Sequence, residues 1–297
     1  MRWKDGHIAV DWGTTNRRAY LVDGSGCLLS DFEDGKGVTS VEANGFDAAV
    51  AEIRARLGDL PMLMAGMIGS NRGWREAAYV PCPAGLDSLA RAILWVEEGR
   101  TGIVPGVCQT GPAGADVMRG EEVQILGAIA GAMVPADGVI CHPGTHAKWI
   151  VTAQGQITAF RTMMTGELFG LLQKHSILAD LIDHDVTPGD AFAAGVDEAL
   201  AGGDVLSGLF RIRARHLLGT SDDAGEDDAG SYASGLLLGC DIRIGLDLAE
   251  GREVALIGRP ELCTLYAAAL GRAGRASTTL DGSAAFLAGI QHLVNRL

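Results

Sequence analysis

The chain is poor in proline, aromatics and basic residues: 9 Pro, 5 Trp, 4 Tyr, 7 Phe, and 24 Lys+Arg against 37 Asp+Glu in 297 residues. The net charge of −13 argues against a surface built for nucleic acid or an anionic membrane, since both need a basic footprint. It does not forbid a small anionic ligand if positive charge is gathered locally. With so few aromatics the core must be mostly Ala, Val, Leu and Ile. The six cysteines form no CxxC pair, so buried reduced thiols of a cytoplasmic protein are expected, not a disulfide framework or zinc site. MRWKDGHIAVD carries no apolar stretch of signal-peptide length. The most apolar window, ILGAIAGAMV (125–134), is far short of the ~20 residues needed to span a bilayer. Neither GxxxxGK[ST] nor GxGxxG follows any strand.

What is present is a globular composition, 47% hydrophobic and 21% charged, at a length that suits one large or two medium domains. Its 42 glycines are about twice the usual ~7% share. They stand at the ends of short apolar runs, as in an α/β protein with many tight turns. HIAVD (7–11), RRAYLV (17–22) and CLLSDFE (27–33) read as three strands, with GTT and the hairpin signal DGSG between them. FDAAVAEIRARL (46–57) reads as a helix and PMLMAGMIG (61–69) as a buried strand running into a glycine turn. GLDSLARAILWVEEG (85–99) reads as a helix, TGIVPGV (101–107) as a strand, and EEVQILGAIAGAM (121–133) as a helix. SDDAGEDDAG (221–230) reads as a solvated acidic loop, and LIGRPELCTLYAAAL (256–270) as strand, turn and helix.

A weak internal repeat lies 131 residues apart. Gly13 and Thr14 align with Gly144 and Thr145, Arg17 with Lys148, and the hairpin Gly24 with Gly155. Each copy places a Gly-Thr turn after a buried strand and before a second strand. Such turns expose consecutive backbone N–H groups and short hydroxyls, a concavity suited to phosphate oxygens. Asp11, at the end of the first strand, is placed to hold hydrated Mg²⁺, which keeps several waters and uses few carboxylates. The alternative is an ordinary hairpin with a polar turn.

DWGTTN (11–16) and VICHPGTHAKW (139–149) resemble the two phosphate motifs of the sugar kinase, actin and heat-shock chaperone ATPase superfamily. DWGTTNRRAY, AGMIGSNRGW (65–74), MRGEE (118–122), PGTHAKW (143–149) and FRTMMTGEL (160–168) together are similar to the 2-dehydro-3-deoxygalactonokinase family. SGLLLG (234–239) and the C-terminal helix also fit it. The resemblance implies an α/β fold of two ribonuclease-H-like (actin-like ATPase) lobes with a cleft between them. The lobes are expected at 1–115 and 116–281, with a final helix at about 282–297 packing back on the first. It implies ATP-dependent phosphorylation of the 6-hydroxyl of 2-dehydro-3-deoxy-D-galactonate, with ATP and Mg²⁺ as cofactors, in galactonate catabolism.

Residue by residue, the resemblance makes Gly13, Thr14, Thr15 and Asn16 one phosphate cradle and Gly144, Thr145 and His146 the other. Asp11 holds Mg²⁺ through water. Related kinases place a base aspartate in a Gly-Asp pair opening a helix; Gly120-Glu121 matches it here with a glutamate, and Glu122 and Asp116 compete. A helix N-terminus also favours acids through its dipole alone, which is the other reading of this pair. Ser70, Asn71, Arg119 and Glu167 are assigned to the sugar acid, whose carboxylate favours an arginine partner. Arg17, Arg18, Arg72, Arg75, Arg119, Lys148 and Arg161 all lie in the motifs, so the site is expected to be locally positive. The expected partners are the sugar acid and ATP, with no nucleic acid or membrane, and a homodimer is left open. A kinase of another keto sugar or sugar acid, or a non-catalytic sugar-sensing regulator, are the alternatives on the same fold.

Overall fold

The computed structural model of the chain describes residues 3–111, 114–220 and 229–297. The acidic segment expected as a loop falls largely outside them, at 221–228.

In the N-terminal part, β1 (His7–Trp12), β2 (Arg17–Val22), β3 (Leu28–Asp34), α1 (Phe46–Leu57) and β4 (Met62–Gly66) follow in order. β5 (Tyr79–Pro81), α2 (Leu86–Arg91), β6 (Leu94–Glu97) and β7 (Thr101–Ile103) come next. β8 (Gly106–Gly111), β9 (Gly114–Met118) and α3 (Glu121–Ala130) complete it. The main sheet runs β3-β2-β1-β4-β7-β6, with β1 antiparallel to β2 and parallel to β4. β1 and β4 are apolar and almost wholly buried, as strands covered on both faces must be. The edge strand β3 is mostly exposed and carries Asp31, Glu33 and Asp34, charges that discourage edge-to-edge pairing. α1 buries Phe46, Val50, Ile53 and Leu57, one face at helical spacing, against this sheet.

The second sheet runs β12-β11-β10-β13-β14. Its strands are β10 (Gly138–His142), β11 (Ala147–Ala153), β12 (Gln156–Met163), β13 (Val254–Gly258) and β14 (Ser277–Asp281). Its helices are α4 (Thr165–His175), α5 (Ala179–Ile182), α6 (Asp190–Leu200), α7 (Val205–Leu218), α8 (Ala229–Ala249) and α9 (Pro260–Arg272). The chain closes on α10 (Gly282–Val294). β10 and β13 are parallel, as β1 and β4 are. Both sheets therefore begin with the strand order 3-2-1-4, then a further parallel strand. The ribonuclease-H-like order occurs twice, and the repeat read from Gly13-Thr14 and Gly144-Thr145 is a repeat of topology.

The chain divides into two compact units: residues 1–137, 152–159 and 282–297, and residues 138–151 and 160–281. The division comes at 137/138 and not at 115/116, because α3 packs on α10 within the first unit. A Cβ on Gly127 would lie 2.0 Å from the Ala285 carbonyl oxygen, and one on Gly289 would lie 2.2 Å from that of Val123. α6 and α8 meet in the same way: a Cβ on Gly235 would lie 2.1 Å from the Phe192 carbonyl oxygen. A substantial part of the glycine excess thus serves close helix packing, where tight turns alone were expected. Gly127→Ala is expected to cost about 1–3 kcal/mol or more, as overpacking does, seen as a lowered melting temperature by circular dichroism.

Two other expectations are corrected. Only 86–91 of the expected helix 85–99 is helical; Leu94–Glu97 forms β6, antiparallel to β7. Trp95 and Val96 favour a pleated strand, and Gly99, at φ 68°, supplies the turn back to Thr101. The expected strand 101–107 breaks at Val104-Pro105, so that β7 joins the main sheet and β8 a three-stranded sheet ordered β5-β8-β9. Among the described residues, no helix is long and apolar enough to cross a membrane. All six cysteines are free.

Candidate active site

Residues 13–16 link β1 to β2, and every carbonyl of this turn is taken up by the chain. Asn16 O accepts from Gly13 N (2.9 Å) and Gly13 O from Val38 N (3.0 Å). Thr15 O accepts from Gly37 N (2.9 Å), and Thr14 O from Thr39 N (3.2 Å) and Thr39 Oγ1 (2.8 Å). The amides of Thr14 and Thr15 meet no acceptor among the described residues, and both residues are exposed. Amides without acceptors beside carbonyls that are all engaged give this turn the donor pattern that suits an anion. The support comes from Gly37, which sequence reasoning missed; a Cβ there would lie 2.3 Å from Thr14 O.

Asp11 stands half-buried at the end of β1, and its carboxylate accepts no hydrogen bond among the described residues. Burial pushes its pKa up to about 6; Arg18 opposes this, and the charges of Glu121 and Glu33 add to it. Such a carboxylate, short of donors, suits a hydrated cation. Among the described residues no three His, Cys, Asp or Glu side chains could cage a metal, so any ion here would lean on water and ligand oxygens.

Glu121 is brought near Asp11 by two glycines in the left-handed region. Gly66 (φ 95°) ends β4, where a Cβ would lie 2.7 Å from Trp12 O and 3.5 Å from Asp11 Oδ1. Gly120 (φ 111°) precedes α3, where a Cβ would lie 3.1 Å from Gly66 Cα. Glu121, half-buried, opens α3 and accepts from Arg119 N (3.1 Å) through Oε2. Glu122 is wholly buried and accepts from Gly120 N (2.7 Å). Burial, then the charge of Glu121, pushes its pKa up to about 8, so it is a neutral acid near pH 7. Asp116 lies on β9, its Oδ1 accepting from Val117 N (2.8 Å). Of the three competing carboxylates, burial removes Glu122 from contact with any ligand.

The 67–77 loop owes its shape to two of the residues assigned to the sugar acid. Ser70 is buried, donates from Oγ to Met67 O (2.7 Å) and accepts from Arg72 N (3.2 Å). Arg119 donates from Nη2 to Ala77 O (2.7 Å), and its guanidinium lies 4.3 Å from the Tyr79 ring centroid. Its Nε and Nη1 are buried, with no hydrogen-bond partner among the described residues, against Gly69. Asn71 and Arg72 are exposed.

The expected local positive charge is smaller than the motifs suggest. Arg17 is fully buried between Trp12 and Phe32 and pairs with Asp34 at 2.7 Å. Arg18 pairs with Glu33 at 3.0 Å. Lys148 is buried and donates to His146 O at 3.1 Å. Arg72 and Arg161 are exposed and form no ion pair among the described residues.

The second turn, 143–146, links β10 to β11, with Thr145 and His146 exposed. α4 abuts it: Glu167 N donates to Thr145 O (2.9 Å), and His146 Nε2 meets the Glu167 carboxylate. Glu167, assigned to the sugar acid, is thus engaged with the second turn. Gly166 makes the approach feasible, since a Cβ there would lie 2.5 Å from Gly144 O. Beneath the turn lies Asp241 on α8, a buried carboxylate that sequence reasoning passed over; its only signal was an acid directly after the apolar run Leu236–Cys240.

The chain matches known proteins along nearly its whole length. The 2-keto-3-deoxy-galactonokinase family profile matches residues 11–293. The chain is 36% identical to the 2-dehydro-3-deoxygalactonokinase of Escherichia coli strain K12 over 292 residues, 97% of each protein. It superposes on a crystallised candidate 2-dehydro-3-deoxygalactonokinase from Sinorhizobium meliloti with TM-score 0.90 and 32% identity, covering 97% of this chain and 98% of that one. The ADPNP-bound activator of 2-hydroxyisocaproyl-CoA dehydratase from Clostridium difficile shares the fold alone, at TM-score 0.51 and 10% identity, covering 98% and 95%. Two copies of one strand order, each with a Gly-Thr turn, and a match along nearly the whole chain lead to one assignment: the chain belongs to the 2-keto-3-deoxy-galactonokinase family, whose members are phosphotransferases with an alcohol group as acceptor.

Proposed function

We propose that the chain transfers the γ-phosphate of ATP to the 6-hydroxyl of 2-dehydro-3-deoxy-D-galactonate, a cytoplasmic step of galactonate catabolism. The observation that carries this reading is the pair of matching turns, 13–16 and 143–146, each at the end of the first strand of a repeated sheet. The amides of Thr14 and Thr15, and the Gly144–His146 turn, bind phosphate oxygens of ATP. Asp11 fits the water shell of Mg²⁺, which when bound would offset charge on those phosphates.

Glu121 accepts the proton of the attacking hydroxyl, the one covalent task that phosphoryl transfer leaves to the protein. Its half-burial, its place at the start of α3 and its charge acting on Asp11 support that role, and the buried, neutral Glu122 is out of a substrate's reach. Exposed Asn71 and Arg72 face the sugar acid, and Arg72 or Arg161 supplies the partner for its carboxylate. Ser70 and Arg119 brace the substrate loop from beneath.

Coupled ADP release with ATP and Mg²⁺ across a panel of 2-keto-3-deoxy sugar acids and neutral sugars tests the reading. Turnover on the galactonate-derived acid is expected to exceed that on every neutral sugar. Turnover on a neutral sugar with none on any acid would overturn the substrate assignment and leave a kinase of another class.

A further inference from the structure

The buried carboxylate of Asp241 has no part in the chemistry above, yet it joins three elements around the second turn. Its Oδ1 accepts from Trp149 Nε1 (2.6 Å) on β11, three residues beyond His146. Its Oδ2 accepts from Thr165 Oγ1 (2.5 Å) at the start of α4 and from Tyr266 Oη (2.6 Å) on α9. Asp241 is 3% exposed, and Trp149 is completely buried.

Each of the three partners leads to the turn. Trp149 fixes the strand leaving it. Thr165 is followed by Gly166, packed on Gly144 O, and by Glu167, which donates to Thr145 O and meets His146. Tyr266 fixes α9, which follows β13; at the end of β13 Gly258 lies against Pro143, where a Cβ would sit 3.2 Å from the Pro143 carbonyl oxygen. A carboxylate removed from water needs all its donors, so losing it unties the three anchors together.

We infer that Asp241 is a positioning residue for nucleotide binding, holding the Gly144–His146 turn in its phosphate-binding shape without touching ATP. The inference rests on the reading of that turn as an ATP-phosphate cradle. Asn retains the arrangement, since its oxygen accepts from Trp149 and its amide donates to a hydroxyl of Thr165 or Tyr266.

Equilibrium ATP binding by calorimetry, with KM for ATP and for the sugar acid, is measured on D241A, D241N, T165V and T145A, each checked by circular dichroism. D241A is expected to weaken ATP binding by about tenfold or more, with KM for the sugar acid within about twofold, and D241N to stay within about threefold of the parent. T165V, which removes one donor and tests the idea should D241A fail to fold, is expected to weaken ATP binding by about three- to tenfold. T145A tests the cradle itself: unchanged ATP binding there defeats the reading of the turn and the inference with it. If T145A weakens ATP binding while folded D241A or T165V does not, or if both KM values rise together, the cradle stands and the positioning role is overturned.

Discussion

Replacing Glu121 by Gln is expected to lower kcat by about 10²–10⁴-fold, the usual range for loss of a general base, with both KM values little changed. Gln keeps an oxygen to accept from Arg119 N, so the Gly120 turn should survive. Initial-rate kinetics on the folded variant check this, and near-parental turnover would remove Glu121 from the role. E122Q is the informative control. Its carboxyl is buried without contact to any ligand, so kcat should stay within a few-fold of the parent. The two variants should differ in stability as well. In the fold the Glu122 pKa stands at about 8 against an ordinary 4.5. The ionised group must be buried, so the stability it allows is complete below the ordinary value and is lost as pH rises through about 8. E122Q should therefore melt above the parent near pH 8.5, with the gap closing toward pH 5, as read by thermal melts across that range.

Asp11→Asn is expected to lower kcat/KM by about 10²-fold or more, because the amide cannot hold the hydrated cation or its charge. In the parent, kcat/KM should fall as pH drops through about 6, where Asp11 takes up a proton, and this limb should vanish in the variant. Stability should move the other way. With its folded pKa raised from 3.8 to about 6, ionised Asp11 is a burden at neutral pH: its stability contribution is complete below 3.8 and lost as pH rises through 6. D11N should consequently melt a few degrees higher at pH 7 than the parent, a gain of about 1–3 kcal/mol with activity lost. A variant both less stable and fully active would contradict the assignment of Asp11 to the site.

Local signals carried much of the fold. β1, β2 and β3 lie where the short apolar runs and the DGSG turn place them, and α1 spans 46–57 as the sequence indicates. The topological repeat was visible through two Gly-Thr turns. What escaped depends on contacts distant in sequence. The division at 137/138 follows from α3 packing on α10, and nothing in residues 116–137 announces that partner. Arg17 directly follows a phosphate motif but is consumed by Asp34 and two aromatic rings, and the pairing with Asp34 is one that the β2–β3 register creates. Gly37 and Asp241 act by supporting a turn and not by facing a ligand, so no motif chemistry pointed to them. The exposed cations left for an anionic substrate narrow to a few arginines.

The most direct test of the central claim is phosphorus and carbon nuclear magnetic resonance of the product made from ATP and 2-dehydro-3-deoxy-D-galactonate. A phosphate monoester with phosphorus coupling at C6, formed in step with ADP, is the predicted result. ADP accompanied only by inorganic phosphate, or an ester at another hydroxyl, would contradict it.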